Sequence, residues 1–347
     1  MKIHRFRRPF QFAQSWLAGL CAAGALAGLP GFAAARPLPS AGLYEVDTVL
    51  DIPYYDGPGA SRTRHRLDIY RPRGAEKRPV LLFLHGGGWM FGDKAYGRYP
   101  AVARCLAGQG VVVVMANYRL SPAVKHPEHV RDAARALAWT IKNAERYGGR
   151  PDQVFVGGHS AGGHLAALLA TNESYLKAEG LDSSAIKGVI PVSGVYRVPE
   201  IHVSLKSDGA MLFSSFALDD IDWLPQVHFE ATLPRFLRSH HQMAIDLDPF
   251  RLVFGSDPAR RRDASPLAHV RPGLPPFLVL YAERELPTLD DMAEEFAAAL
   301  EESRCEVKVF RIAGRGHRDV MLRAVTPSDP VAQHILQFIE QSVVGSP

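Results

Sequence analysis

The sequence predicts an α/β fold, a mostly parallel central sheet with helices on both faces, and three observations carry that prediction. From Pro79 onward, short apolar runs alternate with amphipathic helical segments, as in a doubly wound sheet. Runs such as Val80–Leu84 and Val111–Met115 are apolar at every position, as in strands covered on both faces. The step from Val154–Val156 to the Ala/Leu-rich run Leu165–Ala170 passes through Gly158-x-Ser160-x-Gly162, a turn too sharp for side chains beside the serine.

Residues 1–35 are expected to lie outside this fold. Lys2, Arg5, Arg7 and Arg8 form a basic start with no acidic residue. A mainly Ala/Gly/Leu segment runs from about Trp16 to Leu29, and Ala33-Ala34-Ala35 supplies a cleavage site. This reads as a secretory signal peptide, too short to span a membrane, so a secreted or periplasmic location without a stable membrane anchor is expected. Arg7-Arg8-Pro9-Phe10 partly matches a twin-arginine signal, which leaves both export routes open. Leu20 precedes Cys21 where a lipoprotein signal carries a small residue, which argues against a lipid anchor. The chain has 40 Lys+Arg against 36 Asp+Glu, and four of the basic residues sit in this leader. Residues 36–347 are therefore near charge balance, and no nucleic-acid partner is expected.

The remainder is long enough for one α/β domain with an insertion. Thr48–Ile52 and Arg66–Tyr70, separated by Asp56-Gly57-Pro58-Gly59, predict an antiparallel hairpin at a sheet edge. Val80–Leu84 opens the parallel part, and a helix around Ala101–Leu106 leads to the strand Val111–Met115. Val130, Ala134, Leu137, Ala138 and Ile141 recur at helical spacing, with Gly148-Gly149 expected to end that helix. The Val154 strand and the helix after Ser160 follow, then strands Val189–Val192, Phe277–Tyr281 and Val307–Phe310. A helix carrying Leu289, Met292, Phe296 and Leu300 separates the last two, and Asp329-Pro330 opens a final helix. No clean βα unit occurs between Gly194 and about Pro276, only apolar clusters such as Met211–Phe213 and Trp223 with Leu224. An insertion over about 196–263 is expected as a partial lid, with an excursion packed on the sheet edge as the alternative. Cys105 and Cys305 lie in apolar-patterned segments, as two buried free thiols or one disulfide.

A serine hydroxyl becomes an effective nucleophile when a base takes its proton and a third group orients that base. Gly158-x-Ser160-x-Gly162 has the strand-to-helix setting of a nucleophile elbow and places Ser160 at a helix N-terminus. His317, in Ala313-Gly314-Arg315-Gly316-His317, follows the strand Val307–Phe310 and is the expected base. His85, His159 and His164 lie in glycine-rich turns or on the helix after Ser160 and read as structural, and His269 precedes a core strand. After the strand Phe277–Tyr281 come Glu283, Glu285, Asp290 and Asp291. Thr288–Asp291 reads as a helix start, where aspartates face the dipole, so Glu285 is the preferred orienting acid and Asp290 the alternative. His85-Gly86-Gly87-Gly88-Trp89 follows the strand Val80–Leu84, and its glycines let backbone N–H groups turn inward. Gly87, Gly88 and Ala161 are the expected oxyanion-hole donors. Neither G-x-G-x-x-G nor a Lys-Ser/Thr follow-on makes this a phosphate loop, and no H-E-x-x-H spacing occurs, so no cofactor and no metal are expected.

These motifs resemble those of the α/β-hydrolase superfamily, over about residues 44–340. Within it the chain is similar to HGGG-type esterases: hormone-sensitive-lipase-like carboxylesterases, BD-FAE-type esterases and kynurenine-formamidase-like enzymes. The resemblance rests on His85–Trp89, on Asn117-Tyr118-Arg119-Leu120-Ser121-Pro122, on Gly158-His159-Ser160-Ala161-Gly162-Gly163 and on Gly316-His317. Ala264-Ser265-Pro266-Leu267, ahead of Leu274-Pro275-Pro276-Phe277, adds to it. It implies Ser160 as nucleophile, His317 as base and Gly87, Gly88 and Ala161 as the oxyanion hole of a cofactor-free serine carboxylesterase for a small-molecule ester with a small or medium acyl group. An arylformamidase-like amidase or a lipase would use the same machinery, and a non-catalytic binding module is the contrasting class. Two features depart from the resemblance: Ala282-Glu283-Arg284-Glu285 stands where Gly-x-x-Asp is usual, and 196–263 matches no motif. Oligomeric state is left open.

Overall fold

Successive residues of the inner strands face two different cores, which is why those strands are apolar throughout. Val80, Leu82 and Leu84 join one buried cluster with Val112, Val114, Val154 and Val156. Leu81 and Phe83 join the other with Val113, Met115 and Phe155. Each such side chain, taken from water to full burial, contributes roughly 1.5–3 kcal/mol.

The computed structural model describes residues 43–198, 203–205, 211–213, 248, 250–286 and 288–344. The leader expected over 1–35 lies outside them, as does the middle of the expected insertion, including Trp223 and Leu224. In chain order the elements are β1 (Val46–Pro53), β2 (Arg66–Pro72), β3 (Arg78–Leu84), α1 (Tyr99–Gly108), β4 (Val112–Ala116), α2 (Glu128–Asn143), β5 (Gly149–His159), α3 (Ala161–Thr171), α4 (Ser174–Lys177) and β6 (Gly188–Val192). Then follow β7 (Val203–Leu205), β8 (Met211–Phe213), α5 (Arg251–Phe254), α6 (Pro258–Asp263), β9 (Phe277–Arg284), α7 (Leu289–Glu302), β10 (Val307–Gly316), α8 (Asp319–Leu322) and α9 (Pro330–Val344).

Among the described residues, one sheet runs β1-β2-β4-β3-β5-β6-β9-β10, and β7 pairs with β8 apart from it. The expected hairpin is its antiparallel edge: β1 pairs antiparallel with β2, and β2 with β4. Every other pairing in the sheet is parallel. Helices α2, α3 and α7 supply Leu137, Leu165 and Phe296 to one core, and α1, α8 and α9 supply Leu106, Met321 and Ile335 to the other. This two-sided cover is the doubly wound arrangement that the alternation predicts.

Two local details differ from expectation. Helix α2 ends at Asn143, ahead of Gly148-Gly149, because a 3-10 turn over Glu145–Tyr147 intervenes. Gly148 closes that turn at φ 80°, and Gly149 already begins β5. Both cysteines are free, but Cys105 is only half-buried while Cys305 is buried. Both ends of the expected insertion are anchored in the body. The Tyr196 ring stacks on Phe296, with centroids 4.4 Å apart, and Val253 and Phe254 are buried in the same core. No helix among the described residues is long and apolar enough to cross a membrane.

Candidate active site

The order of strands decides which loops can meet. β3, β5, β6, β9 and β10 run parallel and adjacent, so the loops at their carboxyl ends gather along one rim of the sheet. The expected residues all follow these ends: Gly87 and Gly88 after β3, Ser160 and Ala161 after β5, Glu285 after β9 and His317 after β10.

Ser160 sits between β5 and α3 at φ 54°, ψ −118°, a conformation costing a non-glycine residue roughly 1–3 kcal/mol. Neighbouring main chain holds it there: Ser160 N–H donates to Val192 O at 2.8 Å and His164 N–H to Ser160 O at 2.9 Å. The flanking glycines are required by close approach. A Cβ on Gly162 would lie 2.1 Å from Leu84 O, and one on Gly158 would lie 2.4 Å from the Gly162 main chain. The glycine loop is equally constrained. Gly87 has φ +125°, and a Cβ there would meet Phe91 O at 2.4 Å. The N–H groups of Gly87, Gly88 and Ala161 donate to no acceptor among the described residues.

His317 Nε2 lies 2.9 Å from Ser160 Oγ, and His317 Nδ1 lies 2.6 Å from Glu285 Oε2. A carboxylate only accepts, so Nδ1 carries the hydrogen and Nε2 of the neutral ring accepts from the serine. Glu285 Oε1 accepts from Ala282 N–H at 2.8 Å and from the Ser193 hydroxyl, and Oε2 also accepts from Leu286 N–H at 3.2 Å. Burial works to raise the Glu285 pKa. The charge of His317 and the hydrogen bonds from His317, Ser193 and Ala282 outweigh it and hold the carboxyl below its ordinary range.

The other carboxylates of this region do different work. Glu283 accepts from Gly314 N–H at 2.8 Å, bracing the β10 end, while Asp290 and Asp291 are exposed in the first turn of α7. Asp290, the alternative acid, is therefore not the partner of His317. The remaining histidines brace the loops. His85 donates through Nδ1 to Gly86 O at 2.8 Å and stacks on Tyr118, and burial lowers its pKa to about 4. His164 Nδ1 accepts from the Trp89 indole at 3.2 Å and its Nε2–H donates to Ala264 O at 2.7 Å; burial lowers its pKa to about 3. His269 meets Asp263 O at 2.7 Å, away from the serine.

Two participants escaped the sequence reading. Ser193, just beyond β6, had a findable signal, since it too follows a parallel strand's carboxyl end. Tyr99 had none: it opens α1, and only the packed fold brings its hydroxyl to Gly86 N–H and His159. No group of three or more His, Cys, Asp or Glu side chains suited to a metal occurs among the described residues.

The sheet order, the elbow and the glycine loop are those of the α/β-hydrolase fold. Residues 67–207 match the BD-FAE family. The chain is 30% identical over 280 residues to Esterase LipC of Mycobacterium tuberculosis (strain ATCC 25618 / H37Rv), covering 79% of this chain and 62% of LipC. It is 31% identical over 296 residues to Esterase LipQ of the same organism, covering 83% of this chain and 61% of LipQ. It thus spans about three fifths of the length of these curated relatives. Its fold is similar to that of esterase B from Lactobacillus rhamnosis, with a TM-score of 0.62 at 19% identity, over 86% of this chain and 88% of that one.

Proposed function

We propose that this chain is a cofactor-free serine carboxylesterase for small-molecule esters with a small or medium acyl group. The observation that carries the proposal is the hydrogen-bonded line from Ser160 Oγ through His317 to Glu285, at 2.9 Å and 2.6 Å. Ser160 attacks the ester carbonyl while His317 Nε2 takes its proton. Glu285 holds Nδ1–H and stabilises the imidazolium that forms. The carbonyl oxygen, now negative, accepts from the N–H groups of Gly87, Gly88 and Ala161, each donor lowering the barrier by about 3 kcal/mol. His317 returns the proton to the departing alcohol, leaving an acyl-enzyme. Water, deprotonated by His317, then releases the acid and restores Ser160.

Similarity to two esterases supports an ester as the substrate. The presence of all three triad members and both glycines supports catalysis over a non-catalytic scaffold. Acyl preference is assigned to residues 196–263, and the leader reading of 1–35 adds an exported location. The test is initial hydrolysis rates of chromogenic acyl esters from acetate to palmitate, with an aryl formamide beside them. Turnover is expected to peak at short or medium chains, to spare the formamide, and to fall about 10⁴-fold or more in Ser160→Ala. Formamide preference would reassign the chain to an amidase, and unchanged ester turnover in Ser160→Ala would overturn the mechanism.

A further inference from the structure

The residue before the nucleophile ties two halves of the site together. His159 is buried, and both of its ring nitrogens are engaged. Nε2 lies 2.8 Å from the main-chain oxygen of His317, and Nδ1 lies 2.9 Å from Tyr99 Oη, which in turn lies 2.9 Å from Gly86 N. Every hydrogen in this line has one permitted position. A carbonyl oxygen only accepts, so Nε2 carries the hydrogen and the neutral ring accepts at Nδ1. Tyr99 therefore donates its hydroxyl hydrogen to His159, which leaves its oxygen to accept from Gly86 N–H. The result is a one-directional chain, Gly86 to Tyr99 to His159 to His317, whose members polarise one another in the same sense.

We propose that His159 is a positioning residue that, through Tyr99, fixes the start of the glycine loop and the main chain of His317 against one ring behind Ser160. The inference rests on the proposed role of Ser160 and His317. Gly86 immediately precedes the two glycines assigned as oxyanion donors, and the loop packs directly on the elbow: a Cβ on Gly86 would lie 3.0 Å from His159 Nδ1. At the other end the tie reaches His317, whose ring centroid lies 5.1 Å from that of His159. Burial, and then the charge of His317, push the His159 pKa down to about 3. The ring thus stays neutral when its neighbour takes the serine proton. A cation there would lose the Tyr99 bond and repel the imidazolium.

The test compares His159→Phe, His159→Gln and Tyr99→Phe in the full chain, with rates normalised to sites titrated by an organophosphonate. His159→Phe removes both bonds and is expected to lower kcat about 10- to 100-fold with KM within about twofold, since donor and base placement matter in the transition state. His159→Gln keeps a donor near the Nε2 position and is expected to recover most of that rate. Tyr99→Phe cuts the same line from outside the elbow and is expected to lower kcat likewise, so the idea stays testable should His159→Phe fail to fold. Unchanged kcat per titrated site in Tyr99→Phe, or equal losses in His159→Phe and His159→Gln, would overturn it. A second measurement needs no turnover. Imidazole ¹⁵N spectra of the full chain are expected to show His159 as the Nε2–H tautomer throughout pH 5–8, and titration or an Nδ1–H tautomer there would refute the tie. Should Ser160→Ala keep its activity while His159 holds that tautomer, the hydrolase mechanism fails and the tie stands.

Discussion

At the centre of the sheet, the elbow after β5 and the glycine loop after β3 are locked by main-chain contact. Gly162 packs where a methyl group would sit 2.1 Å from Leu84 O, and Gly87 where one would sit 2.4 Å from Phe91 O. Toward the sheet's far edge, the loops after β9 and β10 are held by side chains instead. Glu285 takes hydrogen bonds from Ser193 and His317, Glu283 braces Gly314, and His159 reaches His317 O. The centre therefore admits few residue types, whereas the edge admits any donor and acceptor of the right reach. Substitution at the centre should cost stability before chemistry, and substitution at the edge should cost chemistry before stability.

The largest effect expected is at the edge. Glu285→Gln removes the acceptor of His317 Nδ1–H and offers an amide donor in its place, favouring the wrong tautomer. A loss in kcat on the order of 10⁴-fold, about 5 kcal/mol of barrier, is expected with the thermal midpoint little changed. Asp290→Asn, exposed on α7, is expected to leave the rate within about twofold, and a large loss there would reinstate Asp290 as the acid. The next effect lies at the centre. Gly162→Ala forces main chain apart between β3 and α3 and is expected to remove roughly 3–4 kcal/mol of stability or prevent folding, read by urea unfolding. A stable, merely slow Gly162→Ala would erase the contrast.

That contrast also explains what could be read in advance. The elbow and glycine loop are legible because backbone collision leaves glycine as the one answer, and His317 because a small-residue loop follows a strand. Glu285 is legible only by topology: four carboxylates follow the apolar run Phe277–Tyr281, and only the loop before α7 points one at His317. Tyr99 carries no local signature, since a hydroxyl's partner is set by which elements approach it, and Ser193 is marked only by its place just beyond a parallel strand. The end of α2 was misplaced for a related reason. A 3-10 turn over Glu145–Tyr147 leaves no periodicity to distinguish it from the helix or the glycines that follow.

Acid should separate the two regions. His85, His159 and His164 cluster at the centre, and burial lowers their pKa values to about 4, 3 and 3. A histidine ordinarily titrates near 6.5, so below that pH the unfolded chain takes up protons the folded chain refuses. The stability these groups contribute is whole above about pH 6.5 and declines as pH falls toward their folded values, by up to about 1.4 kcal/mol per pH unit for each. His129, lowered to about 4 by burial, adds to the same slope. The Glu285 contribution has its window lower, being lost only as pH falls below the ordinary carboxylate range. Urea midpoints should therefore drop steadily from pH 7 to pH 5, and a flat midpoint over that span would contradict the neutral assignment of these rings.

The smallest effect tests how much redundancy the edge carries. Ser193→Ala deletes one donor to Glu285 Oε1 but leaves Ala282 N–H at 2.8 Å on the same oxygen. The main-chain anchor of Ser193, its N–H on Leu280 O at 2.7 Å, does not depend on the side chain. The carboxylate is then under-solvated rather than unpaired, worth about 1–1.5 kcal/mol, or about tenfold in kcat/KM. Losing that donor also lets the Glu285 pKa rise toward its ordinary value, so the deficit should widen only as pH falls below about 5, into the ordinary carboxylate range. A deficit constant with pH would mean that Ser193 positions the carboxylate without tuning its charge, and an undiminished rate at every pH would show that Ala282 and His317 suffice to hold it.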